Sequence, residues 1–265
     1  MSLDNGYVSA DYLQTMAEKM RAFKQKSYEH MMIAPGATLL DVGCGPGVDT
    51  IPLATLHSDA AKVIGIDTDE AMLAQAEKAL QAAQCPVPVE HLPGSATDLP
   101  LDNSSVDACR AERLLQVLPP ELEHPVVAEL VRVTRPGGRI VLADTDWGSA
   151  SVDFSDTRLE RRLMNFFALK MRPNGFAGRR LYTLCRERSL DDIRVDVVPM
   201  PQQRFSDTPF GDWLVDAATA EGVMSEDEAR GWCNELRRRE RQQQFHACVN
   251  LIIVSGKKVI SENDQ

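Results

Sequence analysis

Residues 39–47 read Leu-Leu-Asp-Val-Gly-Cys-Gly-Pro-Gly, and this stretch decides the fold. The apolar run 38–42 predicts a buried strand and residues 48–57 predict a helix, so the glycines form the turn between the two. Glycines in such a turn let backbone N–H groups approach a ligand closely and adopt conformations that other residues avoid. The helix N-terminus adds partial positive charge. The stretch therefore predicts a ligand-binding loop.

The spacing of charged residues around this loop narrows the ligand. A dinucleotide fingerprint requires a third glycine where this chain has Val48. Asp41, directly before the glycines, would repel a pyrophosphate but suits a cationic group, directly or through water. Asp67 lies twenty residues after Gly47 and can accept hydrogen bonds from both hydroxyls of a ribose. An ammonium group plus a ribose fits S-adenosylmethionine better than NAD, so an NAD dehydrogenase is the weakest alternative.

Strands and helices alternate along the first half of the chain. The predicted strands are 38–42, 62–66, 87–92, 106–110 and 139–143, with a helix over 120–134 and a turn at 136–138 before the last of them. This alternation predicts an α/β fold, a Rossmann-like and mostly parallel seven-stranded sheet with helices on both faces. Segments 193–200 and 246–255 are predicted to complete the sheet as an antiparallel hairpin, so the last strand is antiparallel. Between them, Ser225 and Glu228 have the spacing of a capping box that begins a helix.

A chain of 265 residues lies at the upper end of one ordinary domain, and we expect a single one. Within it we expect a helical lid (1–34, with a helix over 11–32), a cofactor-binding core (35–147), substrate-side helices with the sixth strand (148–245), and the last strand (246–258).

Bulk properties exclude several classes of protein. The net charge of −10 argues against broad binding to a nucleic-acid backbone. No run is long enough to span a bilayer, and we see no secretory signal, so a cytoplasmic location is expected. The six cysteines form no C-x-x-C pair and the histidines lack metal-ligand spacing, so we expect no metal. A monomer or a homodimer is expected.

At this point the chain resembles the class I S-adenosylmethionine-dependent methyltransferases, in the ubiquinone/menaquinone-methyltransferase-like (methyltransferase type 11) group. The resemblance covers roughly residues 36–147 and rests on segments 40–47, 65–73, 94–101, 106–108 and 132–139. It implies S-adenosylmethionine as cofactor and S-adenosylhomocysteine as product.

The resemblance also implies which residues bind that cofactor. The methionine end would be bound by the glycine loop, by the end of the fourth strand and by a basic residue that reaches the carboxylate: Asp41, Gly43, Cys44, Gly45, Gly47, Ala111, Glu112 and Arg21. The adenosine end would be bound by Asp67, Thr68, Met72, Ser95 and Ala96. Similar enzymes usually have an acidic residue in the position of Ser95. Many have a histidine in the position of Val117, so a histidine base is absent at that place in this chain.

Four residues after the fourth and fifth strands are substrate-pocket candidates, since the carboxyl ends of parallel strands face the ligand crevice: Arg113, Gln116, Asp146 and Trp147. The alternatives are a solvated helix face for the first pair, and a turn acid with a rim tryptophan for the second. The Arg-rich segment 158–188 either binds an anionic substrate or is a solvated helix face, and the second interpretation is favoured.

The leading hypothesis is methyl transfer to oxygen, nitrogen or carbon of a small molecule by in-line displacement. A base is needed only if the acceptor carries a proton to lose, and the sequence assigns no catalytic residue. The alternatives are a tRNA or protein methyltransferase, and a diverged S-adenosylmethionine-binding protein that transfers no methyl group.

Overall fold

The computed structural model describes residues 20–260. Within this range one sheet contains the strands β1 (Thr38–Val42), β2 (Lys62–Asp67), β3 (Val89–Pro93), β4 (Val106–Glu112), β5 (Thr134–Val152), β6 (Asp191–Gln202) and β7 (Ala247–Lys257). The α-helices are α1 (Arg21–Glu29), α2 (Thr50–Leu56), α3 (Glu70–Ala82), α4 (Glu123–Val133), α5 (Thr157–Lys170), α6 (Ala177–Glu187), α7 (Asp212–Ala220) and α8 (Glu226–Arg241).

The strand order is β3-β2-β1-β4-β5-β7-β6. The first five strands are mutually parallel, and β7 is antiparallel to both of its neighbours, β5 and β6. The predicted mostly parallel Rossmann-like sheet with an antiparallel last strand is therefore confirmed. Because the strand order reverses between β1 and β4, a crevice forms beyond their carboxyl ends.

Apolar side chains of the sheet are buried on both faces. On one face, Leu40, Ile64 and Ile140 pack with residues of α4 and α6. On the other face, Leu39 and Val141 pack with residues of α1 and α2. Successive residues of a strand point to opposite faces of the sheet. Because both faces are buried, β1 and β2 are continuous apolar runs.

A third apolar core lies under the C-terminal helices, outside the main sheet layers. Residues of α5, α7 and α8 enclose Phe167, Phe210 and Trp232, and the far end of β5 contributes Val152. The aromatic residues of this region are therefore mainly core. The capping box of Ser225 and Glu228 begins α8, as predicted.

Several element boundaries differ from the prediction. The Pro-Gly-Gly segment 136–138 was expected to be a turn before a short strand, but it lies inside β5, which runs to Val152. The pairing of β4 with β5 shifts register there, between Val106 and Ala108, and Gly137 has a φ of 79°, so the glycine absorbs an irregularity and the chain does not reverse. Helix α4 begins at Glu123, since Pro120 belongs to a preceding 3-10 turn.

The N-terminal lid lies mostly outside the described residues. Of the helix expected over 11–32, positions 11–19 cannot be compared, and the described part contains α1. No helix within residues 20–260 is long and apolar enough to cross a membrane.

Candidate functional site

The loop between β1 and α2 depends on its glycines. The φ angles of Gly43, Gly45 and Gly47 are 75°, 52° and 77°, in the left-handed region that favours glycine. The N–H groups of Gly43 and Cys44 donate to the carbonyl of Ile66 at 2.7 and 3.1 Å. The loop is thereby fastened to the end of β2 and borders the crevice.

Asp67, the last residue of β2, organises the turn on the other side of the crevice. Its Oδ2 accepts a hydrogen bond from the N–H of Gly45 at 2.8 Å, and its Oδ1 accepts from the N–H of Asp69 at 2.9 Å. Asp69 in turn caps α3 by accepting from the backbone of Ala71 and Met72. Each Asp67 oxygen keeps further acceptor capacity for a ligand hydroxyl.

A cleft with a cavity volume of about 230 Å³ opens between these segments. It is lined by residues from the ends of β1, β2 and β4 and from the segments that follow β1, β2, β3 and β4: Val42, Gly43, Gly45, Ile66, Asp67, Thr68, Met72, Gly94, Ser95, Ala96, Thr97, Glu112, Arg113, Leu114, Val117, Leu118 and Leu122. The structure thus brings the residues predicted to bind the adenosine together with Gly43 and Gly45 of the glycine loop in one cleft.

A cluster of buried charges lies behind the wall of the cleft. Arg110 is fully buried in β4 and donates to Asp41 at 2.8 Å and to Glu112, while also lying 3.4 Å from Asp49. Lys24 of α1 bridges Asp49 at 2.6 Å and Glu112 at 2.8 Å. Three carboxylates face two cations, so the fully ionised cluster carries one excess negative charge, while Glu112 itself is paired with both cations.

The two aspartates of the cluster respond differently to burial. Burial raises the pKa of Asp41 to about 6 even though Arg110 opposes the shift. Burial also tends to raise the pKa of Asp49, but the charges of Arg110 and Lys24 outweigh it and hold that pKa well below its ordinary value. Asp49 also accepts a hydrogen bond from the hydroxyl of Tyr28. The cluster therefore keeps Asp49 ionised.

Several predicted cofactor residues lie outside the lining of the cleft: Arg21, Asp41, Cys44, Gly47 and Ala111. Arg21 is exposed on α1, and Lys24, one turn later, is the basic residue of this helix that reaches the cleft wall. Cys44 is buried, and burial raises the pKa of its thiol, which suits a packing role. The direct cofactor roles of these residues remain predictions.

The four substrate-pocket candidates divide into different environments. Arg113 lines the cleft. Gln116 and Trp147 lie together, since the indole Nε1 donates to the Gln116 Oε1 at 2.8 Å. Asp146 is buried, and its Oδ1 accepts from Nε of Arg179 at 2.8 Å. The structure therefore places Arg113 in the lining of the cleft and the other three candidates outside that lining.

The Arg-rich segment 158–188 forms many internal ion pairs. Its arginines pair with carboxylates at 2.8, 2.7, 2.8 and 2.8 Å, in Arg161–Glu160, Arg162–Glu228, Arg179–Asp146 and Arg180–Glu123. Four arginines of the segment are therefore already paired, and the favoured interpretation of a solvated helix face stays a prediction. Within residues 20–260 no group of three or more His, Cys, Asp or Glu side chains could hold a metal ion.

Sequence reasoning missed the buried cluster and the apolar wall after β4. Arg110 was a usable signal, because it is a charged residue inside a predicted buried strand. A buried guanidinium requires carboxylate partners. Asp49 and Lys24 gave no such signal, since their burial depends on how α1 packs over the glycine loop. The wall residues Leu114 and Leu118 flank a 3-10 turn, 115–117, that is too short to give a periodic sequence pattern.

The lining of the cleft fits an adenosine joined to an amino-acid head. The carboxylate of Asp67 suits a ribose diol, and the side chains of Ile66 and Met72 provide apolar surface for a purine ring. Gly43, Gly45 and Glu112 line the part of the cleft at the ends of β1 and β4, where the predicted amino-acid head would lie.

Comparisons with known proteins agree with this geometry. Residues 39–138 match the methyltransferase domain family. An uncharacterised 37.1 kDa protein of transposon Tn4556 from Streptomyces fradiae is 35% identical over 251 residues, which cover 92% of this chain and 69% of that protein. Demethylmenaquinone methyltransferase of Bacillus cereus is 31% identical over 128 residues, which cover 48% of this chain and 53% of the enzyme. The match thus spans about half of that relative.

A solved structure shares the fold at low sequence identity. Geranyl diphosphate C-methyltransferase of Streptomyces coelicolor, in complex with Mg²⁺, geranyl diphosphate and S-adenosylhomocysteine, superposes with a TM-score of 0.55 at 16% identity. The superposition covers 90% of this chain and 76% of that one. Together, the domain match, the relatives and the sheet order identify the chain as a member of the class I S-adenosylmethionine-dependent methyltransferases, with S-adenosylmethionine as its cofactor.

Proposed function

We propose that this methyltransferase acts on a small organic acceptor that enters beside the segment following β4. The observation that carries the proposal is the composition of that wall, which is apolar apart from one cation: Arg113, Leu114, Val117, Leu118 and Leu122. An apolar wall of this kind suits a compact apolar molecule. It does not suit a nucleic-acid backbone, which requires a broad surface of exposed Lys and Arg.

The named relatives support the same class of acceptor. Demethylmenaquinone methyltransferase acts, by its name, on a quinone. Because the match covers only 53% of that enzyme, we carry over to this chain the class of small organic acceptors and no particular compound. The net charge of −10 and the ion-paired arginines of segment 158–188 favour this class over tRNA.

We further propose that the residues of the cleft work mainly by positioning. When bound, S-adenosylmethionine supplies a methyl group activated by the sulfonium charge. Asp67 would hold the ribose hydroxyls, and the backbone of Gly43 and Gly45 would hold the methionine part. Val117 occupies the place of a histidine base in similar enzymes, so the chain would select acceptors that are already nucleophilic and keep water away from the methyl group.

The test is a transfer assay with S-adenosylmethionine that carries a deuterated methyl group. The protein is incubated with a fractionated cell extract, and the small-molecule, RNA and protein fractions are each analysed by mass spectrometry. We expect label in a compound of the small-molecule fraction, and no label when the Asp67→Ala variant replaces the wild type. Label confined to RNA or protein, or S-adenosylhomocysteine binding without transfer to any fraction, would contradict the proposal.

A further inference from the structure

Arg113 is the one cationic side chain that lines the cleft within residues 20–260. The other charged lining residues are Asp67 and Glu112. Both oxygens of Glu112 are engaged, by Lys24 at 2.8 Å and by Arg110. The charge of Arg113 is therefore not cancelled by the neighbouring glutamate.

The guanidinium of Arg113 lacks a strong acceptor in the described part of the chain. Its Nε is buried and has no hydrogen-bond partner there. Its Nη1 lies 3.6 Å from the sulfur of Met20, and a thioether is a weak acceptor. The Arg113 charge also acts on the buried Asp144, whose oxygens are already hydrogen-bonded to the backbone N–H groups of Thr145 and Gln116.

The backbone holds Arg113 in an unusual conformation. Its φ is 55°, in the left-handed region, which is uncommon for a residue with a long side chain. The N–H of Arg113 donates to the carbonyl of Ala143 at 2.7 Å, which ties this conformation to β5. Strained backbone of this kind is found preferentially at binding sites, where it fixes the direction of a side chain.

We infer that Arg113 binds an anionic oxygen of the acceptor, a carboxylate or a deprotonated hydroxyl carried on a small apolar framework. This inference rests on the proposed function. The partly buried Arg113 lies beside Leu114 and Val117 in the lining, so its guanidinium is accessible to a compact molecule that enters the cleft. A cation at this place also favours the deprotonated form of an acceptor hydroxyl, which fits the absence of a histidine at Val117.

The experiment uses matched pairs of small ligands that differ in charge. Acetate, benzoate and 2-naphthoate are titrated by calorimetry into the protein saturated with S-adenosylhomocysteine, and the corresponding amides are titrated alongside. We expect at least one carboxylate to bind about 10- to 100-fold more tightly than its amide, as loss of a charged hydrogen bond predicts. The preference should vanish in Arg113→Gln, persist in part in Arg113→Lys, and be unchanged in Arg158→Gln, an exposed arginine of α5.

Three results would overturn the inference. Carboxylates and amides that bind alike to the wild-type complex would show that no anion site exists. A carboxylate preference that survives Arg113→Gln would assign the site to another residue. A loss of S-adenosylhomocysteine affinity of tenfold or more in Arg113→Gln would assign Arg113 to the carboxylate of the cofactor. A confirmed carboxylate preference in a protein that labels no small molecule would instead contradict the proposed function and leave the anion site standing.

Discussion

At the scale of single residues, Arg110 shows how a β-strand residue can serve a binding site without touching a ligand. Its guanidinium is fully buried and donates hydrogen bonds to Asp41, behind the cleft, and to Glu112, in the cleft lining. The sequence predicts Asp41 as a ligand-binding acid because of its position before the glycines. It does not predict which cation Asp41 faces, since that depends on the register of β1 with β4.

Asp144 gives a residue-scale prediction about pH. It is fully buried, and burial raises its pKa from 3.8 to about 7. Between those values the folded protein keeps a proton that the unfolded chain releases, so this group makes the free energy of unfolding fall as the pH rises from about 4 to about 7. Asp144→Asn stays neutral and should lack this contribution.

Urea denaturation at about pH 5 and about pH 8 measures the effect. The decrease in unfolding free energy between the two should be smaller for Asp144→Asn than for the wild type, while Asp191→Asn, at an exposed position, should follow the wild type. An equal decrease in all three proteins would show that Asp144 is ionised in the folded state throughout this range.

At the scale of elements, α1 is fastened to the glycine-loop region by its buried lysine. Lys24→Met would leave the carboxylates of Asp49 and Glu112 buried without this cation, and we expect a loss of about 3–5 kcal/mol in unfolding free energy. Lys26→Met on the same helix breaks only a half-exposed pair with Asp196, so about 1 kcal/mol or less is expected. Equal losses in chemical denaturation would refute the anchoring role.

The packing of α6 against β5 gives a second prediction at this scale. A Cβ at Gly178 would lie 2.7 Å from the nitrogen of Asp146 and 2.8 Å from the carbonyl oxygen of Asp144, both backbone atoms. Gly178→Ala should therefore destabilise the fold by about 1–3 kcal/mol. Gly231, inside α8, has open space around it, so Gly231→Ala should stabilise by about 0.5–1 kcal/mol. Thermal and urea unfolding of both variants would show whether the signs differ.

The elements themselves were largely predictable, because alternating apolar strands and helices leave a clear pattern. Their ends were less so. The segment 136–138 has the composition of a turn, yet it lies within β5, where the backbone of Gly137 and Gly138 bonds to Lys258, just beyond the end of β7. Helix α4 was expected from 120, but a 3-10 turn containing Pro120 precedes it. At 136–138 backbone bonding to a neighbouring segment overrides the turn preference of proline and glycine, whereas Pro120 keeps its usual place at the start of a helical turn.

At the scale of the whole molecule, the order of the sheet determines where the site lies. The glycine loop, Asp67 and the spacing between them predicted a nucleoside-binding crevice, and the reversal of strand order between β1 and β4 accounts for its position. Only Arg110 signalled the charge cluster, since its partners come from α1, from β1 and from the residue before α2. The wall after β4 was missed because its residues show no periodicity. Binding of the cofactor is therefore a property of the assembled sheet.

The central claim is that this cleft binds the cofactor through Asp67. Titration calorimetry with S-adenosylhomocysteine, on the wild type, Asp67→Ala and Asp59→Ala, tests it most directly. We predict saturable binding to the wild type, an affinity lower by about 10- to 100-fold in Asp67→Ala because charged hydrogen bonds to the ribose are lost, and unchanged binding in Asp59→Ala. A wild type that does not bind, or an Asp67→Ala variant that binds as tightly as the wild type, would contradict the claim.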